Sequence, residues 1–89
     1  MKAIVTVVGK DRVGIIAGVC VKLAEYNVNV LDISQTVMQG YFTMMMATDV
    51  SQANIPLAEL ATRMEAAGKE MGLSIRIQRE DIFNAMHRI

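Results

Sequence analysis

Apolar and polar residues follow two periods along this chain, and the switches between them mark its elements. Lys2 to Val8 is short, β-branched and apolar at nearly every position. That pattern predicts a central strand, flanked on both edges and covered by helices on one face. Gly9 to Arg12 interrupts the run as a turn. After it Val13, Ile16, Ala17, Cys20, Leu23 and Ala24 recur at helical spacing, which predicts an amphipathic helix with this stripe buried. Tyr26-Asn27 ends the helix, Asn being suited to a left-handed exit.

Val28 to Met38 and Tyr41 to Val50 are rich in strand-favouring residues, and only Gln39-Gly40 separates them, so a two-residue hairpin is expected. With Met38 across from Tyr41, Thr36 lies opposite Thr43, Ser34 opposite Met45 and Asp32 opposite Ala47 on a semi-polar face. The other face carries Leu31, Ile33, Val37, Phe42, Met44 and Met46 and is expected in the core. Gln35 is a polar misfit in that second row.

Ser51 to Asn54 reads as a polar link, with Asn54 as a helix N-cap and Pro56 in the first turn. Leu57, Leu60, Ala61, Met64, Ala67 and Met71 make the stripe of a second helix, closed by Gly72. Leu73 to Arg79 alternates, with Leu73, Ile75 and Ile77 inward and Ser74, Arg76 and Gln78 outward. Ile82, Phe83, Met86 and Ile89 predict a short amphipathic tail helix within residues 80–89, packed on its own domain or on a partner. The order β-α-β-β-α-β, with right-handed crossovers, implies an α+β, ferredoxin-like fold: a four-stranded antiparallel sheet with two helices on one face, plus the short C-terminal helix. Residues 1–89 are read as one domain.

Composition narrows what such a domain does. A chain of 89 residues with 53% apolar and 20% charged side chains carries more hydrophobic material than a monomer this small easily buries, so a homodimer is expected. Nine basic residues balance nine acidic ones, which argues against a bulk nucleic-acid or anionic-membrane partner. The apolar run from Val13 to Val21 is about half of what a bilayer requires and holds two glycines. The single Cys20 excludes an internal disulfide framework, and the amino terminus lacks a signal-peptide pattern. A cytoplasmic protein is the simplest expectation.

The stretch Gly9-Lys10-Asp11-Arg12-Val13-Gly14-Ile15 carries the candidate chemistry. A carboxylate, a guanidinium and a bare glycine backbone at a helix start offer free N–H groups and the positive end of the helix dipole, the makings of an anion or zwitterion site. Asp11 can equally cap the helix, and Arg12 can stand as a solvated turn residue. Gly9 and Gly14 are spaced as in a phosphate loop, yet Ile15 and Ile16 stand where Lys and Ser or Thr would be needed, so no nucleotide cofactor follows. His87 has no companion at metal-ligand spacing, and no carboxylate pair or nucleophile–histidine set implies catalysis. Neither metal, cofactor nor enzymatic activity is expected. Met44-Met45-Met46 reads as core filling, two inward and one outward.

The order of elements, the turn Asp11-Arg12-Val13-Gly14-Ile15 and the strand opening Val28-Asn29-Val30 together resemble the ACT domain, the small regulatory module of amino-acid metabolism, over essentially the whole chain. The likeness is to small stand-alone members, and the first half is similar to the amino-terminal domain of glycine cleavage system transcriptional repressors. Asp11 and Gly14 match the family's turn and Asn29 its strand position, while Val13 stands where Pro is usual. The resemblance implies an amino-acid effector bound between subunits, held by Asp11, Arg12, Gly14 and Ile15 of one chain and Asn29, with Leu31, of the other. It also implies action on a separate protein, through the tail helix or the face with Ser34, Thr36, Tyr41 and Thr43. The alternatives are a docking module without a ligand and, further off, a small enzyme or enzyme subunit.

Overall fold

The computed structural model describes residues 1–86, so His87 and Ile89 of the expected tail lie outside the described residues. The elements are β1 (Lys2–Lys10), α1 (Ile15–Glu25), β2 (Asn29–Met38), β3 (Tyr41–Asp49), α2 (Leu57–Glu70), β4 (Leu73–Arg79) and α3 (Glu80–Met86). The sheet is antiparallel between every neighbouring pair, in the order β2-β3-β1-β4. β1 is central as expected, and β2 and β4 form the edges. This is the ferredoxin-like arrangement, with α1 and α2 over one face and α3 added at the end.

The core lies between the helices and the inward row of the sheet. Ala3, Val5 and Val7 of β1, Met44 and Met46 of β3, Ile75 of β4, Val19 and Leu23 of α1, and Leu60 and Met64 of α2 are essentially inaccessible. Thr48, also buried in this row, satisfies its hydroxyl by donating to the carbonyl of Ala3 at 2.8 Å. Met45 points away, as alternation requires. The hairpin is a tight one: Gln39 and Gly40 have φ of 53° and 82°, and the register Thr36–Thr43, Ser34–Met45, Asp32–Ala47 is the expected one.

Both long helices end as their sequences suggest. At the end of α1, Asn27 adopts φ 59°, its N–H donates to Ala24 and that of Val28 donates to Leu23, closing a Schellman motif with Val28 and Leu23 both in the core. Gly72, at φ 72°, follows the end of α2. Gly68 is needed for a different reason: a Cβ there would sit 2.8 Å from Ile75 Cγ1 and 3.0 Å from the Leu73 carbonyl, so α2 can approach β4 only without a side chain.

Four expectations need correction. β1 continues through Gly9 and Lys10, which pair with Phe42 and Tyr41, so the turn begins at Asp11. The buried stripe of α1 is Ile15, Val19 and Leu23, with Ile16 and Cys20 half-buried at its margin, Ala17 and Ala24 exposed, and Val13 fully exposed at 99%. Helix α1 is apolar around most of its circumference, so more than one phase satisfies the spacing, and the left-handed Gly14 sets the actual one. Asn54 does not cap α2, whose N-cap position is Pro56. Instead its side-chain amide donates to the Glu25 carbonyl and its backbone N–H to the Tyr26 carbonyl, tying the link to the end of α1. Finally, Leu31, Ile33 and Val37 remain exposed at 49%, 40% and 53%, although Ile33 and Val37 pair with the buried Met46 and Phe42. Ile33 and Val37 lie on the helix-facing side of an edge strand that the helices do not cover there, and Leu31 falls at a β-bulge between Val30 and Asp32, Val30 taking the inward place opposite the buried Thr48.

Candidate functional site

The turn from Asp11 to Gly14 joins the end of β1 to α1, and it is pinned on both flanks. The backbone N–H of Asp11 donates to the carbonyl of Gly40 at 2.8 Å, which fixes the turn beside the β2–β3 hairpin. The guanidinium of Arg12 donates to the carbonyl of Met71, at the C-terminal end of α2 where the helix dipole is negative. Gly14 then turns the chain into the helix with φ 91°, in space open enough for a Cβ, so backbone conformation alone calls for glycine here.

Behind the turn lies an open crevice of about 350 Å³, lined by Asp11, Arg12, Gly14, Ile15, Ile16, Ala17, Gln35, Val37 and Phe42. Two polar features belong to its lining. No side chain caps α1, so Asp11 does not take that role, and the N–H groups of the first turn have no partner within the helix. The Asp11 carboxylate likewise has no hydrogen-bond or ionic partner among the described residues. A carboxylate accepts hydrogen bonds from an ammonium group, and uncapped helix amides donate to a carboxylate, so the crevice offers complementary ends to a zwitterion. Its lining contains no histidine, cysteine or hydroxyl side chain. Among the described residues no three His, Cys, Asp or Glu side chains are grouped to hold a metal.

The residues named from sequence divide between two places. Asp11, Arg12, Gly14 and Ile15 come together in the crevice, but the Ile15 side chain is 3% exposed and belongs to the core. Arg12 is engaged with α2. Asn29 lies elsewhere within the chain, lining a separate hollow with Ala24, Asn27, Val28 and Gln52. It is eight residues from Val37 along β2, on the order of 26 Å. Leu31, at the bulge, is on that same half of the strand. The wall of the crevice contributed by this chain's own β2 is instead Gln35 and Val37. Gln35 stands out in the sequence as one carboxamide in an otherwise apolar inward row, and the hairpin end of that row, Gln35 and Val37, lines the crevice.

An antiparallel sheet in the order β2-β3-β1-β4, two crossover helices on one face and a crevice at the β1–α1 turn define a small α+β module of ferredoxin-like fold. The ACT-domain family model matches residues 2–78, and this chain belongs to the ACT-domain family. It is 55% identical over 89 residues to a UPF0237 protein of Listeria innocua, covering 100% of both chains. It is 49% identical over 88 residues to a UPF0237 protein of Methanocaldococcus jannaschii, covering 99% of this chain and 98% of the other. Among solved structures, an ACT domain protein from Streptococcus pneumoniae superposes with a TM-score of 0.83 at 48% identity, over 98% of each chain. A putative glycine cleavage system transcriptional repressor shares the fold with a TM-score of 0.73 at 22% identity, over 88% of this chain and 44% of that one.

Proposed function

We propose that this chain is a ligand-responsive regulatory module: two copies pair through β2, an amino acid binds where the turn of one copy meets the β2 strand of the other, and the tightened dimer acts on a separate protein. The observation that carries this reading is the crevice itself, whose lining holds both the Asp11 carboxylate, without a partner among the described residues, and the uncapped first turn of α1. Asp11 takes the α-ammonium group and the amides after Gly14 take the α-carboxylate.

The pairing rests on β2. It is a ten-residue edge strand with Asp32 as its one charged side chain, and its helix-side residues Ile33 and Val37 are exposed. An unprotected apolar edge is a template for another strand. Antiparallel pairing centred near Ser34 would bring Leu31 of the partner subunit beside Val37, and the partner subunit's Asn29 toward the hairpin end that holds Asp11. The residues that lie apart within one chain thereby meet in the dimer. For the ligand to regulate, it need only favour the closed dimer by about 1 to 3 kcal/mol.

Thermal-shift measurements with the twenty amino acids, run beside light scattering, test the reading. A dimer stabilised by one or a few of them is expected, and Asn29→Ala should remove that response while leaving the dimer in place. An intact dimer that answers none of the twenty favours the second reading, a ligand-free docking module. That reading draws on the exposed Val8, Tyr41 and Met45 of the open sheet face and Ile82 of α3, which offer apolar contacts to a protein partner.

A further inference from the structure

The inward row of β2 runs Ile33, Gln35, Val37, and across the ladder these face Met46, Met44 and Phe42, all buried. Gln35 is a carboxamide between two apolar side chains, and all three are exposed in the single chain. Its place in the fold is the crevice wall opposite the Asp11 turn. Among the described residues nothing in the chain hydrogen-bonds to it, so in the isolated chain water satisfies its amide. Pairing β2 with a second copy removes much of that water, and a buried amide without a partner is costly. Something in the closed site has to satisfy it.

Charge narrows what that is. Arg12, the cation on the crevice wall, already donates to the Met71 carbonyl, and the remaining charged side chain of the lining is the Asp11 carboxylate. An acidic ligand side chain would meet the Asp11 carboxylate, while the guanidinium of Arg12, still cationic, is directed to the carbonyl end of α2. A basic one would compete with its own α-ammonium group for that single carboxylate. The volume, about 350 Å³, lies at the low end for small-molecule sites, and Ile16, Val37 and Phe42 limit it further.

We propose that Gln35 reads the side chain of the bound ligand, and that the crevice takes a small uncharged amino acid bearing a hydroxyl or a carboxamide, such as serine or asparagine. This rests on the reading of the crevice as an amino-acid site. The Gln35 amide both donates and accepts, so it pairs with either group. Alanine and valine leave it unpaired in the closed dimer, which is how a polar wall discriminates against an apolar ligand.

The experiment is calorimetric titration of the intact protein with serine, asparagine, alanine and valine, repeated for Gln35→Met, which keeps the length and removes the hydrogen bonds, and for Gln35→Leu. Wild type should bind serine or asparagine at least about tenfold more tightly than alanine. In both variants that preference should collapse to below about threefold, through weaker binding of the polar ligands and tighter binding of alanine once the unpaired amide is gone, with the dimer mass unchanged. Equal weakening for alanine and serine would overturn the assignment, because Gln35 would then be shaping the site and not reading the ligand. A wild-type protein that prefers alanine or valine overturns it while leaving the amino-acid site standing. One that answers none of the four, nor any other amino acid, overturns the site and the assignment together.

Discussion

The sheet has two edges, and they are finished in opposite ways. β4 is short, carries Arg76 and Arg79, lies under α2 with Gly68 pressed against Ile75, and runs directly into α3. β2 is longer, has one charge, is touched lightly by α1 and leaves Leu31, Ile33 and Val37 open. Both strands were written with the same alternation of apolar and polar positions. On β4 the apolar positions are covered by the chain's own helix, whereas on β2 no described element covers Leu31, Ile33 and Val37. An edge closed by its own helix is structure, and an edge left apolar and open is an interface in waiting.

The contrast can be broken most severely on the closed side. Leu60→Ala empties a fully buried site on α2 and should cost about 3 kcal/mol, and Gly68→Val, which drives methyl groups into Ile75 and the Leu73 carbonyl, about 2 to 3 kcal/mol, both read from urea midpoints. On the open side the same kind of insult should leave the fold alone and change the assembly. Ile33→Lys, at an exposed position, is expected to alter monomer stability by less than about 0.5 kcal/mol and to halve the mass seen by light scattering. A dimer that survives this substitution would show that β2 is not the shared edge. Arg12→Ala tests the strut between the two sides; losing the bond to the Met71 carbonyl from an exposed residue should cost under about 1 kcal/mol.

The smallest effect is a pH dependence at the end where β4 meets α3. The Arg79 guanidinium, 2.6 Å from Asp81, holds that carboxyl below its ordinary value of 3.8, and the backbone N–H of Ser51 does the same for Asp49. A carboxyl whose folded value is depressed binds fewer protons folded than unfolded, so stability rises with pH across that interval. The contribution is therefore complete above about pH 5 and is lost as the pH falls through 3.8 and then through the folded values. Side-chain NMR titration should show Asp49 and Asp81 protonating at lower pH than an unperturbed aspartate.

What could be read from the chain alone is what local periodicity and turn chemistry govern. The helices and strands, the Gln39-Gly40 hairpin and its register, the left-handed exits at Asn27 and Gly72, and the ferredoxin-like order all depend on residues close in sequence. Even the crevice left a trace, the misplaced Gln35. The phase of α1, the true duty of Asn54, the engagement of Arg12 with α2 and the bareness of β2 were decided in three dimensions. Each depends on where a distant element comes to rest. Alternation says which side chains share a face of a strand, but only the placement of the helices across the sheet says whether that face is covered, because burial belongs to pairs of elements and periodicity to one.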